Sequence, residues 1–149
     1  MFLNRTFEYG GTIANLDLNK GNYKGVYIVV CPDDIHNHSL KEHSNAGKYK
    51  GKDPTIAIAE LNKKIPNKTK ILYIGKSEKS VLKRIQQHVR FWYGEPIAAW
   101  GGRAIAQLES FDTFEVWYLQ SDNPKATEKT LLNDFKSNYG NLPLANWRI

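Results

Sequence analysis

Lys70-Ile71-Leu72-Tyr73-Ile74-Gly75-Lys76 is the stretch on which the fold turns. Ile71 to Ile74 is an unbroken apolar and aromatic run closed by a glycine, which reads as a short buried strand. Ser77 then offers a helix cap. Leu82, Ile85, Val89 and Trp92 recur at three- and four-residue spacing, so a helix is predicted from about Glu78 to Trp92. An equivalent strand lies upstream in Lys24-Gly25-Val26-Tyr27-Ile28-Val29-Val30, extending to Cys31 and stopped by Pro32. A third strand is expected from Thr113 to Leu119. Asn123 caps a last helix, opened by Pro124 and ended near Asn138 by Gly140. Three strands and two or three helices make a small α/β sandwich.

The segments between are less regular. Residues 1–22 form a lead-in with turn signals at Gly10-Gly11 and Gly21-Asn22. Residues 32–54 are polar and read as a loop. Asp53 and Pro54 then start a helix from about Thr55 to Lys64, with Ile58, Leu61 and Ile65 on its apolar face, ended by Pro66-Asn67. Gly94 to Gly102 is turn-rich and aromatic, and Arg103 to Ser110 is a short helix. The tail from Leu142 to Trp147 is apolar and packs down.

A chain of 149 residues with 41% hydrophobic and 12% aromatic residues builds one core and is not a disordered tail. The net charge is +6, and it is unevenly spread. Residues 31–98 hold 13 Lys and Arg against 7 Asp and Glu, whereas residues 99–149 hold 5 against 6. A phosphate-rich partner would meet the middle of the chain. Cys31 is the sole cysteine, which excludes an intrachain disulfide. No apolar run reaches the roughly 18 residues of a membrane span. Met1 to Glu8 has no apolar signal-peptide core, so an intracellular, cytoplasmic protein is expected.

Arg84 and His88 are one helical turn apart, on the border of the buried stripe. From spacing alone, a solvated basic face is the simpler reading. Lys76, at a strand-to-helix junction, suits either a phosphate or the open surface. Glu128 heads a series with Leu131, Leu132 and Phe135, where a carboxylate needs neutralising, pairing or a cation, or else enjoys the helix N-terminus. Tyr27 and Tyr73 read as strand tyrosines, and as catalysts both need a lowered pKa. His36, His38 and His43, with Cys31, fit no common structural zinc spacing, and a polar loop is the simpler reading.

Taken in order, these pieces resemble the GIY-YIG nuclease superfamily over about residues 24–147. Gly25-Val26-Tyr27 is similar to its first motif, with valine for isoleucine, and Tyr73-Ile74-Gly75 matches its second. Arg84 matches the family's helix arginine, His88 the histidine or tyrosine one turn later, Glu128 the metal-binding glutamate, and Asn146 the closing asparagine. The resemblance implies a central three-stranded, mainly antiparallel sheet flanked by helices. It further implies a metal-dependent DNA endonuclease, with one Mg²⁺ or Mn²⁺ on Glu128. Tyr27 would be the general base, helped by Tyr73 or His88. Arg84 would stabilise the phosphate, Lys76 would lower a tyrosine pKa or contact phosphate, and Asn146 would position side chains or backbone near the site, the three together forming the substrate-binding set. A monomer or homodimer would serve. The departure from the family is a basic insertion at about 31–70 between the tyrosine strands, in what is otherwise a single domain over 1–149. The competing expectation is a GIY-YIG-type fold that holds nucleic acid without cutting it.

Overall fold

The computed structural model describes residues 5–66 and 68–149. Residues 1–4 of the lead-in, and Asn67 of the expected helix stop, lie outside the described residues. The architecture is mixed α/β, with an antiparallel sheet flanked by helices. The strands are β1 (Glu8–Thr12), β2 (Asn15–Leu16), β3 (Gly25–Val30), β4 (Ile71–Ser77) and β5 (Glu115–Gln120). They form one 5-stranded sheet in the order β2-β1-β5-β3-β4, with every neighbouring pair antiparallel. The helices are α1 (Ile58–Asn62), α2 (Val81–Trp92) and α3 (Pro124–Tyr139).

The expected strands occupy β5, β3 and β4. The lead-in adds a hairpin that widens the sheet beyond three strands, and its glycines explain why it read as a turn. Gly10 leaves room for the Tyr118 ring, since a Cβ there would lie 2.4 Å from Tyr118 Cε2. Gly11 takes φ +94° where the pairing of β1 with β5 shifts register.

Alternation along β3 divides the core in two. Val26 and Ile28, with Ile71 and Ile74, meet Leu131, Leu132 and Phe135 of α3. On the other face, Tyr27, Val29, Leu72 and Tyr73 meet Val81, Leu82, Ile85, Phe91 and Trp92 of α2. A register shift opposite Val29 and Val30 leaves Leu72 and Tyr73 in the same cluster. The tyrosine pair and Glu128 therefore start from opposite faces of the sheet.

Several boundaries differ from expectation. Ser80 rather than Ser77 caps α2, accepting a 3.3 Å bond from Lys83 N. Ser77 Oγ instead accepts from the Lys79 and Ser80 amides at 3.2 and 3.1 Å, closing the turn before the helix. The helix after Pro54 begins only at Ile58, because buried Gln107 captures the Ile56 backbone. Ile56 N donates to Gln107 Oε1 at 2.9 Å, and Gln107 Nε2 donates to Ile56 O at 2.6 Å, which holds that residue out of a helix. The short helix expected at 103–110 is a 3₁₀ segment, Trp100–Gln107. By contrast α3 follows its sequence signals, with Asn123 capping Ala126 N at 3.3 Å and Gly140 at φ +77°.

The segment 31–70 is part of the core. Ile35, Ala46, Ile56 and Leu61 are buried with the α2-side cluster, and Leu40 bridges to Leu108. No helix among the described residues is long and apolar enough to cross a membrane.

Candidate active site

Tyr27 and Gly75 face each other across β3 and β4. The Tyr27 ring lies against that glycine, where a Cβ would stand 2.3 Å from both Cζ and the hydroxyl oxygen. The ring is thereby directed at α2, and its hydroxyl is 2.9 Å from His88 Nε2. Tyr73 completes the cluster, edge-on to Tyr27 with ring centres 5.9 Å apart and 5.5 Å from His88. Gly102 closes in from the 3₁₀ segment, where a Cβ would be 2.9 Å from Tyr73 Cε2 and 3.3 Å from His88 Nδ1. Trp92 Nε1 pins that turn by donating to Gly102 O at 2.9 Å.

His88 is fully buried, whereas its spacing predicts a place on the border of the stripe. Helix α2 buries Val81, Leu82, Ile85, His88, Phe91 and Trp92, while Val89 is only half-buried. The buried face is rotated toward His88 because two aromatic residues, Phe91 and Trp92, outweigh Val89 in apolar area. His88 Nδ1 has no hydrogen-bond partner among the described residues. Burial, and then the charge of Arg84, push the imidazole pKa down to about 3, so the ring is neutral.

The tyrosines are shifted the other way. Burial pushes Tyr27 well above its ordinary value, and proximity of Tyr73 adds to this while Arg84 opposes it. Burial raises Tyr73 to about 12, against lowering by the Tyr27 hydroxyl and Arg84. Arg84 is half-buried, and its Nη1 donates to Gln87 Oε1 at 2.9 Å and to Ala98 O at 3.2 Å. It has no carboxylate partner within ion-pair distance among the described residues.

Glu128 reaches the cluster from α3, at the β4 side of the sheet. With Tyr73, Gly101, Arg103, Asn146 and Trp147 it lines a cavity of about 610 Å³. Its carboxylate makes no ion pair among the described residues. Burial raises its pKa; Lys76 opposes the shift and Glu78 adds to it. Lys76 itself pairs with Glu78 at 3.5 Å. Asn146 binds the strand edge with both ends of its amide: Oδ1 accepts from Ile74 N and Nδ2 donates to Ile74 O, each at 2.9 Å. Ala145 N adds a 2.9 Å bond to Leu72 O, so the tail continues the β4 edge. The Asn146 side chain thus positions backbone next to Tyr73 and is not free to hold substrate.

No family model, curated protein or solved structure matches the chain. The site is therefore judged on its own geometry. It combines a hydroxyl pair backed by a neutral imidazole, a guanidinium without a counter-ion, and a half-buried carboxylate beside an open cavity. Such a set can hold a phosphate, seat a hydrated divalent cation and orient a water.

The loop histidines are arranged differently from a three-histidine site. Cys31, Asp33 and His38 bring ligand-type atoms within 4.8 Å of one another, without His36 or His43. Asp33 Oδ1 and Glu109 O lie 2.8 Å from the two ring nitrogens of His38, and Cys31 Sγ is 3.2 Å from Asp33 Oδ1. With an acceptor at each ring nitrogen, an imidazolium satisfies this network by itself. Sequence reasoning missed Trp100, Arg103, Trp147 and Lys64. The legible signal was Gly101-Gly102-Arg103, where paired glycines precede a cation.

Proposed function

We propose that this protein is a divalent-metal-dependent DNA endonuclease of the GIY-YIG kind. The observation that carries the reading is the meeting, at the β4 edge, of Tyr27, Tyr73 and His88 with Arg84 and the unpaired Glu128. Residues far apart in the chain converge there in the set that the sequence motifs imply. The reading places the protein in the cytoplasm, where a lone cysteine stays reduced.

Glu128 fits the role of metal ligand. It is a carboxylate without an ion pair among the described residues, on a cavity large enough for a hydrated ion, and its raised pKa marks a burial that Lys76 only partly offsets and a cation would relieve. One carboxylate suffices for Mg²⁺, which keeps several waters. When bound, the ion supplies charge stabilisation at phosphorus and at the leaving 3′ oxygen.

The chain's own groups do the rest. Arg84 holds the non-bridging oxygens, where negative charge builds up. Tyr73 lies on the cavity wall, whereas Tyr27 is only 1% exposed and sits behind it. Tyr73 is therefore the hydroxyl that meets the attacking water. Behind it, the Tyr27 hydroxyl is held at 2.9 Å by the neutral His88 Nε2, and the Tyr27 ring packs edge-on against Tyr73, which orients the Tyr73 hydroxyl toward the water. Lys76 steadies the Glu128 carboxylate, and Asn146 fixes the strand edge beside Tyr73.

A second reading, a DNA-holding module without chemistry, is favoured by one observation. Neither tyrosine is ionised near neutral pH, and His88 is sealed from solvent. Supercoiled plasmid incubated with Mg²⁺ or Mn²⁺ decides between the two. The nuclease reading expects nicked and linear products, abolished by EDTA and by Glu128→Gln. Binding without nicking in either metal would leave the module.

A further inference from the structure

Trp100, Arg103 and Trp147 line the same cavity as Glu128, and Lys64 packs on Trp147. Trp147 follows Asn146 directly, so its backbone is fixed to β4 through the Ile74 and Leu72 bonds. Its side chain is 41% exposed, in a tail that otherwise buries Leu144, Ala145 and Asn146. The Lys64 ammonium lies 3.9 Å from the Trp147 ring centre, and it donates to the Asn146 carbonyl. The Arg103 guanidinium lies 4.9 Å from the Trp100 ring centre and 6.0 Å from that of Trp147. Neither cation has a carboxylate within ion-pair distance among the described residues. Burial lowers Lys64 to about 8 and also lowers Arg103, so both carry an unrelieved desolvation that an anion would offset.

Cations without counter-ions beside an exposed indole match the chemistry of one nucleotide: a phosphate for the guanidinium and a flat base for the ring. In an intact duplex the base faces are stacked on their neighbours, and an isolated indole at the edge of a cavity reaches only a base that has left the stack. We propose that Arg103 and Trp147 together bind a single unpaired nucleotide flanking the cleaved phosphate, with its phosphate on Arg103 and its base on Trp147. The preferred substrate is then DNA with a splayed, flapped or gapped strand. This rests on the nuclease reading for the cleaved phosphate, but the nucleotide site can be tested without cleavage.

The Glu128→Gln chain in EDTA is titrated, by fluorescence anisotropy, against an intact duplex and the same duplex with a splayed end. Adding Trp147→Ala is expected to weaken splayed-end binding about tenfold, the order of one lost base stack, and to change duplex binding less than twofold. Trp147→Phe should restore most of the loss, and unchanged thermal melting separates the effect from misfolding. Arg103→Ala should weaken splayed-end binding and lower its salt slope by about one phosphate contact. An equal loss on both DNAs, or no loss on the splayed one, overturns the proposal. If the otherwise wild-type Trp147→Ala chain cuts both DNAs at the wild-type rate, the nucleotide site fails while the nuclease reading stands. Trp147-dependent splayed-end binding by a chain that never nicks supports the nucleotide site and removes the nuclease reading.

Discussion

Gly75 joins sequence to site most tightly at the scale of single residues. Tyr27 lies directly over it, so Gly75→Ala places a methyl group 2.3 Å from the phenol carbon and oxygen. The ring cannot stay on that path to His88. The expected outcome is a loss of about 1–3 kcal/mol in urea melts, from overpacking, together with loss of nicking. A variant with wild-type melting and activity would show that the ring's placement is not needed. Glu128 makes the opposite case, a residue whose removal the fold tolerates. Burial raises its pKa, so the folded chain holds that proton more tightly than the unfolded one. The sign follows: between the unfolded and folded pKa values, stability falls as pH rises, because folding then requires a buried carboxylate. A bound divalent ion favours the ionised form and reverses this. Thermal melts are therefore expected to show a Mg²⁺- or Mn²⁺-induced gain that grows from pH 5 toward pH 8. Glu128→Ala and Glu128→Gln should remove the gain and the nicking, and leave a folded chain. Tyr73→Phe should abolish nicking, because it removes the hydroxyl proposed to meet the water, and Tyr27→Phe should weaken it, because the hydroxyl bonded to His88 is lost; undiminished cleavage by either would overturn these roles.

Among the elements, the strand edge carries the clearest prediction. Asn146 satisfies both backbone groups of Ile74, in a position where a neighbouring strand would otherwise do so. Asn146→Ala leaves a buried donor and acceptor unmatched, at about 1–3 kcal/mol for each such group. It also frees the tail that carries Trp147. Denaturant unfolding should report the loss, and hydrogen exchange at the Ile74 amide should quicken; unchanged protection there would remove the clamp from the account. How far the elements were legible follows the same logic. Helix α3 could be read because its signals are local: Asn123 and Pro124 at the start, Gly140 at the end. Strands β3 and β4 could be read because burial on both faces makes them continuous apolar runs. The start of α1 could not, since the residue that holds Ile56 extended is Gln107, far along the chain. The burial of His88 was hidden for a related reason. Spacing placed it on a border, and only the packing of Phe91 and Trp92 turned the helix to enclose it. The hairpin β1–β2 was obscured by Gly10, which accepts the Tyr118 ring from β5, and by Gly11, which turns the strand at φ +94°.

At the scale of the whole molecule, the basic segment 31–70 is a working part of the sheet's α2 face and also touches the tail that carries Trp147. Ile56 and Leu61 anchor it in the core, and Lys64, just past α1, holds the Asn146 carbonyl and covers Trp147. Its other end is closed by His38 between Asp33 and Glu109. Burial acts against protonation of that ring, but the Asp33 carboxylate and the Glu109 carbonyl outweigh it and raise the His38 pKa. A raised histidine pKa stabilises the fold fully below the unfolded value near 6.5, and the contribution is lost as pH rises through the folded value. Asp33 behaves in the reverse sense, held well below the usual carboxylate range by the His38 and Cys31 bonds, so its contribution is lost on acidification. The segment is therefore expected to be held best near pH 5–6 and to loosen toward pH 8. His38→Gln can bond to only part of this network and should flatten the alkaline limb. The measurement is amide exchange across residues 33–40 as a function of pH, in the wild-type chain and in His38→Gln. Because Leu40 pairs with Leu108 and Gln107 ties Lys41 to Ile56, loosening at His38 should spread along the segment toward Lys64. Faster exchange at Ile56 and Leu61 at high pH in the wild type would show that spread. Exchange confined to the His38 turn would show that the two ends of the segment act independently.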